Sequence, residues 1–207
     1  MCCRYYMEMS PELRPYVEAA NTSRLGLKMV ARLGKPLVTK GEVRPSDMVP
    51  VIAPNSSGQK AVYPMVWGFN VTGLDKPVIN ARVETAHEKK AFKEAWTSHR
   101  CIIPASWYFE WAPVKDGKAK EKDKYALQPS GASVTYLAGI YQMQQYRELT
   151  YPVFTILTRE PSEELRKIHD RMPLILPSSA IDDWINPKSN VDELLNLAVT
   201  DLIAEKA

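Results

Sequence analysis

No apolar run in this 207-residue chain approaches the ~18 residues that a membrane-spanning helix needs. The first twenty residues hold charges and a proline where a secretory leader would be apolar, so no leader is expected. Cysteine is scarce: three residues, two of them adjacent, which excludes a disulfide framework and fits a reducing, cytoplasmic compartment. Neither C-x-x-C nor H-x-x-x-H occurs, so neither a zinc site nor any other metal is expected, and no cofactor motif stands in its place. A G-x-x-x-x-G-K loop for nucleotide phosphates and a G-x-S-x-G nucleophile elbow are both missing. Glycine is sparse, nine against sixteen prolines, which speaks for strand ends and turns rather than a helical bundle. The net charge of +3 permits a nucleic-acid partner without demanding one.

The chain has no repeat, no low-complexity tract and no linker long enough to divide it, so one domain over residues 2–207 is expected. Ser10-Pro11-Glu12 predicts a helix start, with the helix running to Ala20. Short apolar runs punctuated by prolines predict strands and turns from Leu37 to Pro54, then a strand over Tyr63–Phe69. Thr85-Ala86-His87-Glu88 reads as a capping box opening a helix to about His99. Strands are expected at Cys101–Pro104, Trp107–Trp111, Tyr125–Leu127, Val134–Gln142, Tyr151–Leu157 and Leu174–Leu176. Short helices are expected over residues 162–168 and 179–185, and a terminal one from Val191 to Ala204. Strands and helices out of strict alternation predict an α+β fold with a mainly antiparallel, barrel-like sheet and peripheral helices.

The chain opens Met1-Cys2-Cys3-Arg4. A small residue after the initiator favours removal of Met1, which leaves Cys2 with an amine and a thiol on adjacent carbons. Such an amine titrates near pH ~8 and adds to aldehydes, after which the thiol can close a five-membered thiazolidine. The same pair can attack carbonyls as an N-terminal nucleophile. The alternative is a small residue at a frayed end. Asn80 and Arg82 lie two apart on an extended segment and share a side, suited to a carbonyl and a phosphate, or simply to a polar strand end. Glu110 stands among Trp107, Tyr108, Phe109 and Trp111, where desolvation would raise its pKa toward proton transfer, unless it alternates outward to solvent. His169-Asp170-Arg171 follows a helix end and offers an acid/base and an anion ligand, or charges that complement the helix dipole. Lys115 to Lys124 carries five lysines and reads as a solvated hairpin or as a phosphate-tracking edge.

Taken in order, Met-Cys-x-Arg, Trp67-Gly68, Asn80-Ala81-Arg82-x-Glu84, Pro104-Ala105 with Glu110-Trp111, and His169-x-Arg171-Met172-Pro173 resemble the SRAP family of abasic-site processing proteins. The resemblance implies a barrel-like α+β domain that binds single-stranded DNA at abasic sites and crosslinks to the lesion through Cys2. By that resemblance Cys2, Asn80, Glu110 and His169 are the catalytic set. Arg4, Trp67, Gly68, Arg82 and Arg171 would contact DNA, with Trp67 stacking on or wedging beside a neighbouring base. A cytoplasmic monomer, nucleoid-associated when bound to DNA, is expected. Cys3 stands where family members commonly have glycine, and Phe69-Asn70 where a proline and second tryptophan are common. A peptidase or self-processing hydrolase using the same Cys2 is the main rival. A glutamine amidotransferase and a DNA-binding module without chemistry are weaker ones.

Overall fold

Residues rich in Val, Ile and aromatics, cut by prolines, form pleated strands rather than helices, and twelve strands carry most of the regular secondary structure among the described residues. The computed structural model describes residues 2–114 and 122–207, so most of the lysine-rich 115–124 segment lies outside the described residues. β3 (Met48–Pro54), β4 (Lys60–Trp67), β6 (Arg100–Ala105), β9 (Thr135–Tyr146) and β10 (Leu149–Arg159) close into a five-stranded barrel. The ring closes because β10 pairs antiparallel with β9 on one side and parallel with β4 on the other. β10 outruns both neighbours, so β5 (Asn80–Arg82) extends the β4 edge and β11 (Met172–Pro173) extends the β9 edge. A closed barrel leaves no unpaired edge to satisfy.

A second, open sheet has the order β12 (Leu202–Lys206), β8 (Lys122–Pro129), β7 (Trp107–Pro113), β1 (Tyr5–Met7) and β2 (Gly41–Val43). The chain passes from barrel to open sheet at Ser106, between β6 and β7. Ser106 fixes that corner by accepting Glu8 N–H on its hydroxyl and the Thr135 hydroxyl on its carbonyl, both at 2.8 Å. Tyr5 packs across the two sheets onto Trp67, ring centroids 5.3 Å apart. The α+β, barrel-like expectation therefore holds, with antiparallel pairing dominant.

Helix α1 (Arg14–Thr22) lies against β3 and β4, and α2 (Arg24–Leu33) against β4 and β10. Ser10 starts a turn, accepting Leu13 N–H, and the helix begins later with Pro15 in its first turn. α2 was not expected. Ser23 caps it by accepting Gly26 N–H at 2.9 Å, and Gly34 ends it in the left-handed region at φ 67°. The Thr85 capping box is a correction: Thr85 sits inside the single-turn α3 (Val83–Ala86), its hydroxyl without a partner among the described residues, and a separate α4 (Lys93–Ser98) follows. The expected 162–168 helix is one 3-10 turn at Leu165–Lys167. After α5 (Ile181–Ile185), the terminal helix stops as α6 (Val191–Leu195), because Leu202–Lys206 pairs with β8 instead. Among the described residues no helix is long and apolar enough to cross a membrane.

Candidate active site

Cys2 leads into β1 and is completely buried. Its carbonyl accepts a 2.8 Å hydrogen bond from Asn80 Nδ2, and its thiol contacts the Arg4 carbonyl at 3.7 Å. Asn80 opens β5 and is registered against Ile156 of β10, so the barrel sets where Cys2 is gripped. Asn80 Oδ1 is buried with no hydrogen-bond partner among the described residues. A short side chain locked at a strand start suits this task, since it fixes backbone without adding bulk.

Glu110 lies mid-strand on β7, on the same face as Tyr108, and is 3% exposed. Burial pushes its carboxyl up to about 7, and the Asp170 charge adds to the rise. A carboxyl at that value exchanges protons readily near neutral pH. His169 Nε2 stands 3.9 Å from Glu110 Oε2. Burial lowers the His169 pKa, which favours neutral imidazole. Its Nδ1 lies 2.7 Å from Asp170 Oδ1 and 3.1 Å from the Arg171 N–H. One ring nitrogen cannot donate to the first and accept from the second together, so these contacts select opposite tautomers. Burial likewise drives the Cys2 thiol well above its ordinary value, and the Glu110 charge pushes it further.

The structure brings Cys2, Asn80, Glu110 and His169 together, although they come from four separate segments. Arg82, at the end of β5, is exposed. It lines an open pocket with Glu160, Arg166 and Asp170, beside His169. Arg4 is partly exposed and donates to Glu42 at 3.1 Å and to the Cys3 carbonyl at 2.8 Å.

Three expected DNA contacts need correction. Trp67 has no exposed surface: its indole N–H donates to the Ile79 carbonyl at 2.9 Å, and its ring packs between Tyr5 and Phe154. It cannot stack on a base without unpacking the core. Gly68 is equally internal, at φ 122°, where a Cβ would stand 2.7 Å from Pro77 Cβ. Arg171 is 8% exposed and spends its guanidinium on a bidentate pair with Glu84 at 2.9 and 2.8 Å and on the Thr158 carbonyl at 2.6 Å. Burial raises the Glu84 carboxyl, but the Arg171 hydrogen bonds outweigh it and hold the pKa below the usual range. That clamp ties α3 to β10. Sequence reasoning missed Tyr5, Tyr108 and Asp170. Burial drives both phenols up, and the Cys2 thiol adds to each rise. Tyr108 was findable, since it lies two residues from Glu110 on one strand face.

A barrel of this kind, with a cysteine at the start of the chain gripped by an asparagine and faced by a glutamate and a histidine, defines a class of proteins. A crystal structure of a protein from Bacteroides thetaiotaomicron superposes with TM-score 0.75 at 20% identity, covering 99% of this chain and 91% of that one. A second, from Bordetella bronchiseptica, gives TM-score 0.72 at 20% identity over 100% and 99%. At such identity the likeness is one of fold. A family model described as SOS response associated peptidase (SRAP) matches residues 1–205, and the chain belongs to that family. The "Abasic site processing protein YoaM" of Bacillus subtilis is 40% identical over 57% of this chain and 51% of its own length. The "Abasic site processing protein YedK" of Escherichia coli is 31% identical over 66% of this chain and 60% of its own. The chain spans about half the length of the curated relatives it matches.

Proposed function

We propose that this protein captures abasic sites in single-stranded DNA as a covalent thiazolidine on Cys2, shielding the lesion. The observation that carries the reading is the grip of Asn80 on the Cys2 carbonyl beside a carboxyl raised to about 7. The names of the relatives supply the electrophile, the aldehyde of a ring-opened abasic sugar. Hydrolytic removal of Met1 frees the Cys2 amine. That amine adds to the aldehyde carbon, and loss of one water gives an imine. The thiol then adds across the C=N bond, its proton passing to the ring nitrogen through Glu110, so the product equals the reactants less one water. Glu110 protonates the leaving hydroxyl and accepts the thiol proton. His169 serves the sugar as second acid/base. Asn80 Oδ1 accepts from a sugar hydroxyl. Arg82 and Arg4 hold flanking phosphates. Fixing Cys2 against these groups raises its effective concentration at the aldehyde. The protein acts as a monomer, in the cytoplasm and on the nucleoid.

The peptidase reading fits less well. Acyl transfer needs thiolate, and burial together with Glu110 disfavours the Cys2 thiolate. Imine formation starts from the amine, and the thiol proton leaves to Glu110 only as the ring closes, so no standing thiolate is required. The test is incubation with a uracil-containing oligonucleotide treated with uracil glycosylase, read by denaturing gel and intact mass. A heat-stable shifted band is expected from wild type lacking Met1 and not from Cys2→Ala. No band from protein already lacking Met1 overturns the proposal, and cleavage of an unmodified peptide by that protein would favour the peptidase.

A further inference from the structure

The face of the open sheet turned away from the core carries a group of aromatic rings among charged side chains. Side chains alternate along β7, so Tyr108, Glu110 and Ala112 point inward and Trp107, Phe109 and Trp111 share the outer face. Tyr6 of β1 lies directly across from Trp107, and the two rings stack at 4.6 Å with only 2° between their planes. Phe109 meets Tyr6 edge-on at 6.4 Å. Lys124 Nζ sits 3.7 Å from the Phe109 centroid and 5.9 Å from that of Trp111. Trp107 and Tyr6 remain partly exposed. Aromatic surface left open on a folded domain marks a binding face rather than a core.

Charge selects the occupant. Glu42, across from Tyr6 on β2, contacts Arg4 at 3.1 Å, Arg44 at 3.4 Å and Lys124 at 3.0 Å. Three cations share one carboxylate, so the cluster keeps excess positive charge beside the stacked rings. A ligand offering flat rings to the aromatics and anions to the cations is a single-stranded nucleic acid, whereas a duplex hides its base faces. Position agrees. Tyr6 follows Cys2 by four residues, at most about 13 Å of extended chain, and Arg4 stands between them. A strand with its lesion at Cys2 reaches this face within a few nucleotides.

We propose that the outer face of the open sheet, centred on Tyr6 and Trp107, is a second DNA platform on which unpaired bases beside the lesion stack. The choice of DNA rests on the proposed abasic-site function; the platform itself rests on the rings and the charge. The test is fluorescence anisotropy with an oligothymidylate about twenty nucleotides long and free of abasic sites, run beside crosslinking of a short abasic oligonucleotide. Trp107→Ala and Tyr6→Ala should each weaken oligothymidylate binding about tenfold, as loss of a base-stacking ring does, while Trp107→Phe stays near wild type. Crosslinking of the short oligonucleotide should be unchanged in all three, which also reports that they fold. Equal oligothymidylate affinity in wild type, Trp107→Ala and Tyr6→Ala overturns the platform, as does no binding by wild type. Trp107-dependent binding without any crosslinking by wild type would uphold the platform and sink the abasic-site reading instead.

Discussion

The closed barrel and the open sheet divide the work of this molecule. The barrel closes on itself, and Trp67, Phe154, Ile103 and Leu137 on its strands have no exposed surface. The open sheet carries Glu110 on one face, Trp107 and Tyr6 on the other, and the approach to Cys2 at its β1 strand. The barrel's contribution to chemistry is indirect: β5, annexed to β10, delivers Asn80 to the Cys2 carbonyl. A sheet with two usable faces can host reactivity because a rigid neighbour bears the packing.

The sharpest way to break this division is Trp67→Ala. Truncating a fully buried tryptophan costs about 3–5 kcal/mol, which at this chain length lowers Tm by about 10 °C. Calorimetry would show it, and the crosslinking rate per folded molecule at low temperature should persist. If Trp67 contacted DNA, the rate or affinity would fall with little loss of Tm.

Glu110→Gln tests the other half. Removing an acid/base group should slow crosslinking about 10²-fold, and the rate inflection near pH 7 in wild type should vanish. The variant should also reveal the strain of the site. The folded carboxyl sits at about 7 against 4.5 for a free one, so the fold favours its protonated form. That stabilisation is fully present below pH 4.5 and is lost as pH rises through about 7. Wild type should lose roughly 2–3 kcal/mol over that window, and the glutamine variant should not. Thermal melts at acidic and mildly alkaline pH decide it.

The smallest effect separates two arginines that look alike in sequence. Arg82→Ala should weaken DNA binding a few-fold and flatten the salt slope by about one, with Tm nearly unchanged. Arg171→Ala should instead lower Tm, since it strips Glu84 and the Thr158 carbonyl of their partner. Salt titrations and melts on both variants would expose any exchange of roles.

Much of the site was legible because its chemistry is written in residue types. A cysteine at position 2, a glutamate among aromatics and an Asn-x-Arg pair announce themselves whatever surrounds them. What sequence hid was exposure. Nothing near Trp67 tells that Tyr5 and Phe154, far away in the chain, enclose it. Arg171 was misread because Glu84, its partner, lies on a different element. Among the elements, α2 was missed although Leu25, Met29 and Leu33 recur at helical spacing between Ser23 and Gly34. The terminal Leu202–Lys206 has helix-forming composition, yet an available edge on β8 overrode propensity.

The parallel seam between β5 and β10 also bears on when the protein becomes reactive. Asn80 takes its place when β5 pairs with Ile156 and its neighbours on β10, and His169 lies further on still. Pairings between such distant stretches of chain form late and slowly. During synthesis, Cys2 therefore emerges first but waits for almost the whole polypeptide before its partners surround it. On the proposed abasic-site function, competence to trap an aldehyde arrives together with the finished fold.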